Sequence, residues 1–155
     1  MGGMSRRDLI RMTPEEIDAF LAGRNTMNLA TIGPDGQPHL VAMWYGFLDG
    51  APAVWTYGKS QKVLNLRRDP RITALVETGE TYDSLKGVEL VGTATVHDDR
   101  ETVMALGRNV YERYTAAWTD DAAPAIEQMG AKRVVIRIDV AKVVSWDHSK
   151  LGGTY

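Results

Sequence analysis

The chain has 155 residues with 44% hydrophobic and 25% charged content, enough for one domain with its own core and too apolar for a disordered segment. It contains no cysteine, which excludes disulfides, iron–sulfur clusters, thiolate zinc sites and cysteine nucleophiles, and suits a reducing cytoplasm. A formal charge of −2 gives no global field toward nucleic acid or acidic lipid, and no apolar run is long enough to span a bilayer.

Residues 1–12 carry no apolar signal segment and read as a flexible N-terminal arm ahead of a single domain, residues 1–155, of a soluble cytoplasmic protein. Thr13-Pro14-Glu15-Glu16 is a helix start: an N-cap threonine, proline at the first position, and a glutamate placed to close a capping box. Ile17, Phe20 and Leu21 form its apolar face. Strands follow at residues 27–32 and 38–47, hinged by Gly33-Pro34-Asp35-Gly36, and a third at 53–57 after Asp49-Gly50. Residues 60–68 turn helical and stop at Asp69-Pro70.

A fourth strand covers 71–77, and a polar loop at 78–87 leads to a fifth at 88–97, where Gly92 marks a bulge or a close backbone approach. Val103, Leu106, Val110 and Tyr114 recur at helical spacing, and a further helix is expected over 122–129. The last strand alternates Val134, Ile136, Ile138 and Val140 with charged residues. Six strands in hairpin-like order with inserted helices predict a mainly β protein, a closed or nearly closed antiparallel barrel with peripheral helices.

The common catalytic constellations are missing. His39, His97 and His148 are scattered, and the chain has no zinc-protease helix, nucleophile elbow, Walker loop or dinucleotide fingerprint. The unusual feature is the helix at Ser60. The helix after Thr13 places Glu15 and Glu16 at its positive end, whereas this one places Lys59 and Lys62 there, with no carboxylate before Asp69. Each cation so placed costs roughly 0.3–1 kcal/mol. An anion bound by backbone N–H groups, the Ser60 hydroxyl and the two ammonium groups offsets that cost; two solvated surface lysines are the plainer alternative.

The run Thr56-Tyr57-Gly58-Lys59-Ser60-Gln61-Lys62-Val63-Leu64-Asn65-Leu66-Arg67-Arg68-Asp69-Pro70-Arg71 resembles the signature of the pyridoxamine-phosphate-oxidase-like, FMN-binding split-barrel superfamily. Leu29-Ala30-Thr31, Gly36-Gln37-Pro38-His39 and Met43-Trp44-Tyr45 are similar to its first hairpin. With Tyr82-Asp83 and Trp146-Asp147-His148-Ser149-Lys150-Leu151-Gly152, the chain resembles an actinobacterial branch that uses the 5-deazaflavin coenzyme F-420. Gln61 stands where FMN oxidases usually carry arginine, which leaves FMN as the alternative cofactor.

The resemblance implies a six-stranded split barrel that works as a homodimer, with cofactors along the subunit interface. Lys59, Ser60, Gln61 and Lys62 would hold the cofactor phosphate, with Asn65 within reach. Val41, Ala42, Met43 and Trp44 would line the ring, with Met43 favoured. Trp146 and Lys150, in a tail over residues 146–155, either form a surface tail with Trp146 packed on the barrel or close the partner's pocket across the interface. Arg6, Arg7 and Arg11 either belong to a solvated arm or meet the coenzyme's acidic tail. The implied reaction is hydride transfer to a small molecule, an enone, unsaturated lactone or quinone. Tyr45, Tyr57, His148 and solvent are the candidate proton donors, and no catalytic side chain is singled out. A non-catalytic deazaflavin carrier is a third reading.

Overall fold

A computed structural model describes residues 2–153. Two short helices open the chain, α1 (Arg6–Leu9) and α2 (Pro14–Leu21), each closed by a reciprocal capping box, Ser5 with Asp8 and Thr13 with Glu16. The strands β1 (Met27–Ile32) and β2 (Pro38–Met43) pair antiparallel. The short β3 (Gly46–Leu48) pairs with β4 (Ala51–Tyr57) through Asp49 and Gly50, both at positive φ. Then come α3 (Gln61–Arg68), β5 (Arg71–Thr78), β6 (Lys86–His97), α4 (Arg100–Tyr114), α5 (Ala123–Gly130) and β7 (Arg133–Asp147).

All strands belong to one antiparallel sheet in the order β2-β1-β5-β6-β7-β4-β3. Its two outermost strands, β2 and β3, are separated in sequence only by Trp44 and Tyr45. The sheet must therefore curl until its edges meet at that corner, which makes a split barrel. Met27, Leu29, Val54, Ile72, Val76, Val88, Ile136 and Ile138 fill the interior. Helix α4 covers the outside of the β3–β4–β7 end, where Val103 and Leu106 pack with Ala53 and Val135 into a second cluster. No helix among the described residues is long and apolar enough to cross a membrane.

The strand count is seven rather than six. The expected strand at 38–47 breaks at Trp44, because Tyr45 turns inward, is wholly buried and donates its hydroxyl to Leu21 O at 2.6 Å. Arg113 holds the break from α4: its Nε donates to Tyr45 O at 2.9 Å, and its terminal nitrogens reach Ala22 O and Gly23 O at 3.2 and 3.1 Å.

The expected tail at 146 is also corrected. Strand β7 continues through Trp146 and Asp147, paired with Gly87 and Lys86, and the indole of Trp146 lies across Gly87, where a Cβ would collide with it. A short 3₁₀ turn, His148–Leu151, follows, while residues 154–155 lie outside the described part. The N-terminal arm is seated as well. Ile10 O accepts from Asp147 N at 2.7 Å, Met12 N donates to Ser145 Oγ at 3.0 Å, and Met12 is buried.

Candidate functional site

The N-terminus of α3 is left open. Ser60 takes the N-cap position with extended backbone, yet its side chain makes no capping bond. Its Oγ is buried without a hydrogen-bond partner. By contrast, Ser5, Thr13 and Asp99 each accept a backbone N–H at the start of their helices. The first turn of α3 holds no acidic residue. Lys62 is only 8% exposed, and burial pushes its ammonium below the ordinary 10.5 with no carboxylate acting on it. A largely buried lysine lacking a counter-charge and an orphaned hydroxyl, both at the positive end of one helix, make an arrangement that an anion completes. The residues present fit a phosphate.

Asn65 plays a different part from the one expected of it. It is wholly buried, and its amide is spent within the protein: Nδ2 donates to Thr31 Oγ1 at 3.0 Å, and Oδ1 accepts from Gln61 Nε2 at 2.8 Å. Asn65 thus ties α3 to β1 and holds Gln61 in position, one step behind any ligand. Arg68 reinforces the tie by donating to Ile32 O.

Along β2, side chains alternate as a strand requires: Val41 and Met43 pack against the core, while Ala42 and Trp44 face out. Trp44 is 55% exposed and stacks flat on Tyr114, with ring centroids 4.7 Å apart. Ala42, Met43 and Trp44 border a cleft of about 620 Å³ that runs between β4 and the α4–α5 pair. Val41 is not on that lining, and neither are Lys59, Ser60, Gln61 and Lys62. The two halves of the expected site therefore do not share one pocket within a single chain.

The cleft's other walls were not legible as a site in the sequence. Trp55, Tyr111, Ile126, Met129 and Arg133 line it. One signal was present: Gly107, inside a helix, where glycine costs roughly 1 kcal/mol against alanine. A Cβ there would come within 2.7 Å of the Trp55 indole, so the glycine lets the ring lie against α4.

Trp146 lines a smaller hollow of about 340 Å³ with Arg7, Ile10, Val144 and His148. Lys150 does not point its charge there. Its Nζ donates to Glu16 Oε1 at 2.6 Å and to Arg11 O at 3.0 Å, and this hydrogen bond is the main reason the Glu16 carboxyl falls to about 2. The pair ties the last turn to α2. Lys150→Ala is expected to leave cofactor affinity unchanged while flattening the acid limb of the stability curve. A depressed carboxyl contributes stability above its unfolded value of 4.5, lost as pH falls toward about 2. Thermal melts between those values check this.

Among the candidate proton donors, Tyr45 is withdrawn because its hydroxyl is buried on Leu21 O and burial raises its pKa. Tyr57 is exposed beneath the Arg133 guanidinium, and His148 packs edge-on against Tyr82 at 4.7 Å.

The family model described as Pyridoxamine 5'-phosphate oxidase matches residues 13–147. The chain belongs to this family. The pyridoxamine 5'-phosphate oxidase family match spans both the α3 motif and the strand β7, so fold and candidate site fall inside it. Among solved structures, a conserved hypothetical protein, Rv2991 from Mycobacterium tuberculosis, is 47% identical over 98% of this chain and 95% of its own, with a TM-score of 0.93. A protein described as an F-420 reductase is 23% identical over 84% of this chain and 98% of its own, at a TM-score of 0.65. The heme storage protein HutZ from Vibrio cholerae is 17% identical over 90% of this chain and 99% of its own, at 0.68. The last two share the fold alone. No curated protein matches.

Proposed function

We propose that the protein is a reductase that takes a hydride from reduced coenzyme F-420 and passes it to an activated double bond conjugated to a carbonyl. The observation that carries the reading is the unpaired Ser60 hydroxyl and the Lys62 ammonium without a counter-charge at the start of α3, in a family whose fold accommodates flavin-type cofactors. The choice of F-420 over FMN rests on the motif resemblance and on Gln61 beside Lys62; one structural neighbour bears the name of an F-420 reductase. When bound, the coenzyme supplies the hydride.

In this reading Ser60, Lys62 and the free N–H groups of α3 bind the phosphate, Lys59 adds charge, and Asn65 keeps Gln61 in place. Ala42 and Met43 orient the ring, and Trp44, with one face spent on Tyr114, borders the adjoining cleft. Tyr57, His148 or solvent delivers the proton. The assembly is a homodimer. Pro38, Leu40 and Ala42 all face outward from the edge strand β2, and Leu40 is 69% exposed, an apolar stripe suited to a second copy. Joining two chains along it supplies what one lacks, a phosphate grip and a ring wall in one groove.

The purified protein is expected to quench F-420 fluorescence with micromolar or tighter affinity and to bind FMN far more weakly; the reverse order of affinities overturns the reading. Reduced coenzyme mixed with enones and quinones is then expected to be oxidised only when protein is present. Tight binding without turnover identifies a carrier instead.

A further inference from the structure

The cleft between β4 and the α4–α5 pair is more than a gap beside the strand β2. Its floor is the Trp55 indole, held against α4 by Gly107 and against α5 by Gly130, where a Cβ would approach the ring to 2.7 and 3.4 Å respectively. Its side wall is Trp44, kept flat by stacking at 3° on Tyr114, whose own hydroxyl is fixed by donating to Asn25 O at 2.7 Å. Two indoles fixed by packing suit a planar ring rather than a bulky aliphatic one. The volume, about 620 Å³, lies within the range of small-molecule sites.

One charged group borders this apolar space. The Arg133 guanidinium sits 4.8 Å over the Trp55 ring and 4.5 Å over Tyr57. Its only hydrogen bond among the described residues is a long one, 3.4 Å from Nη1 to Met129 O, and no carboxylate pairs with it. Asp and Glu are absent from the lining altogether. The guanidinium thus keeps most of its five donors for something outside the chain.

We propose that this cleft is a binding site for a planar aromatic molecule bearing one carboxylate or carbonyl oxygen, with the ring between Trp44 and Trp55 and the oxygen on Arg133. The site is separate from the phosphate grip on α3, none of whose residues lines it. It adjoins Ala42 and Met43, so the deazaflavin reading gives its occupant a reaction, but binding there does not depend on that reading.

Calorimetry with 2-naphthoate on the full chain, without coenzyme, tests the site. One 2-naphthoate per chain is expected, with cyclohexanecarboxylate, equally charged but not planar, at least tenfold weaker. Ala125→Trp, at an exposed position of α5 on the lining, fills the cleft and is expected to weaken 2-naphthoate at least tenfold without unfolding the protein. Arg133→Gln is expected to weaken it about tenfold, the loss of a charged hydrogen bond, and Lys62→Ala to leave it unchanged. No binding to the wild-type chain, binding undisturbed by Ala125→Trp, or a loss on Lys62→Ala matching that on Arg133→Gln each overturns the proposal. Failure of F-420 to bind leaves all of these outcomes readable, which separates this proposal from the cofactor reading.

Discussion

Lys62→Ala is expected to weaken binding of the deazaflavin coenzyme by about 1.5–3 kcal/mol, roughly ten- to a hundredfold, the loss of a charged hydrogen bond. Fluorescence quenching by titrated protein measures it. The size of the effect follows from burial: Lys62 is 8% exposed and meets no carboxylate, so a bound phosphate is its one strong counter-charge. An unchanged affinity returns Lys62 to a merely structural role. The same residue sets a pH dependence. Burial lowers its pKa from 10.5 in the free protein, so affinity for an anion is fully present at lower pH and falls as pH rises through that depressed value. Stability of the ligand-free protein moves the other way. The unfolded chain holds the proton longer, so stability rises with pH up to about 10.5. Lys62→Ala flattens both curves.

Gly92→Ala is expected to destabilise the fold by about 3 kcal/mol, lowering the melting temperature by roughly 6–12 °C. At this point Val91 pairs with Lys142 while Gly92 pairs with Val140, so β7 bulges and its backbone presses toward β6. A Cβ on Gly92 would overlap the carbonyl oxygen of Asp139, and neither strand can retreat without breaking ladder bonds. The position has ordinary negative φ, so the effect is one of space and not of backbone strain. Scanning calorimetry decides it, and a melt within a degree of wild type shows that the bulge is soft.

Features set by neighbours in sequence were legible. The capping box at Thr13, the turn at 33–36, the α4 face and the bulge at Gly92 all stand where the residues put them. The open helix start at Ser60 was legible too, because the charge anomaly lies in four consecutive residues. What escaped was decided by distant partners. Trp146 reads as a tail until Gly87 lies beneath it. The chain breaks at Tyr45 because Leu21 O and Arg113, far away in sequence, take hold of it. Asn65 looks like a ligand group from its place on α3, and only Thr31 on β1 shows that its amide is already engaged. Trp55 and Arg133 carried no motif, since a floor and a lone cation form a site only once α4 and α5 pack over them.

The corner at Trp44 and Tyr45 has a mechanical consequence. Everywhere else the barrel is stitched by strand ladders, so parting two neighbours means breaking a row of hydrogen bonds together. Between β2 and β3 no ladder exists, and the corner that joins them is tied by side chains to the end of α2, through the Tyr45 hydroxyl on Leu21 O and the forked Arg113 on Tyr45 O and Gly23 O. Such a clasp can release one bond at a time. Opening that corner breaks fewer hydrogen bonds at once than parting any two paired strands, and Trp44, which borders the cleft, stands on it.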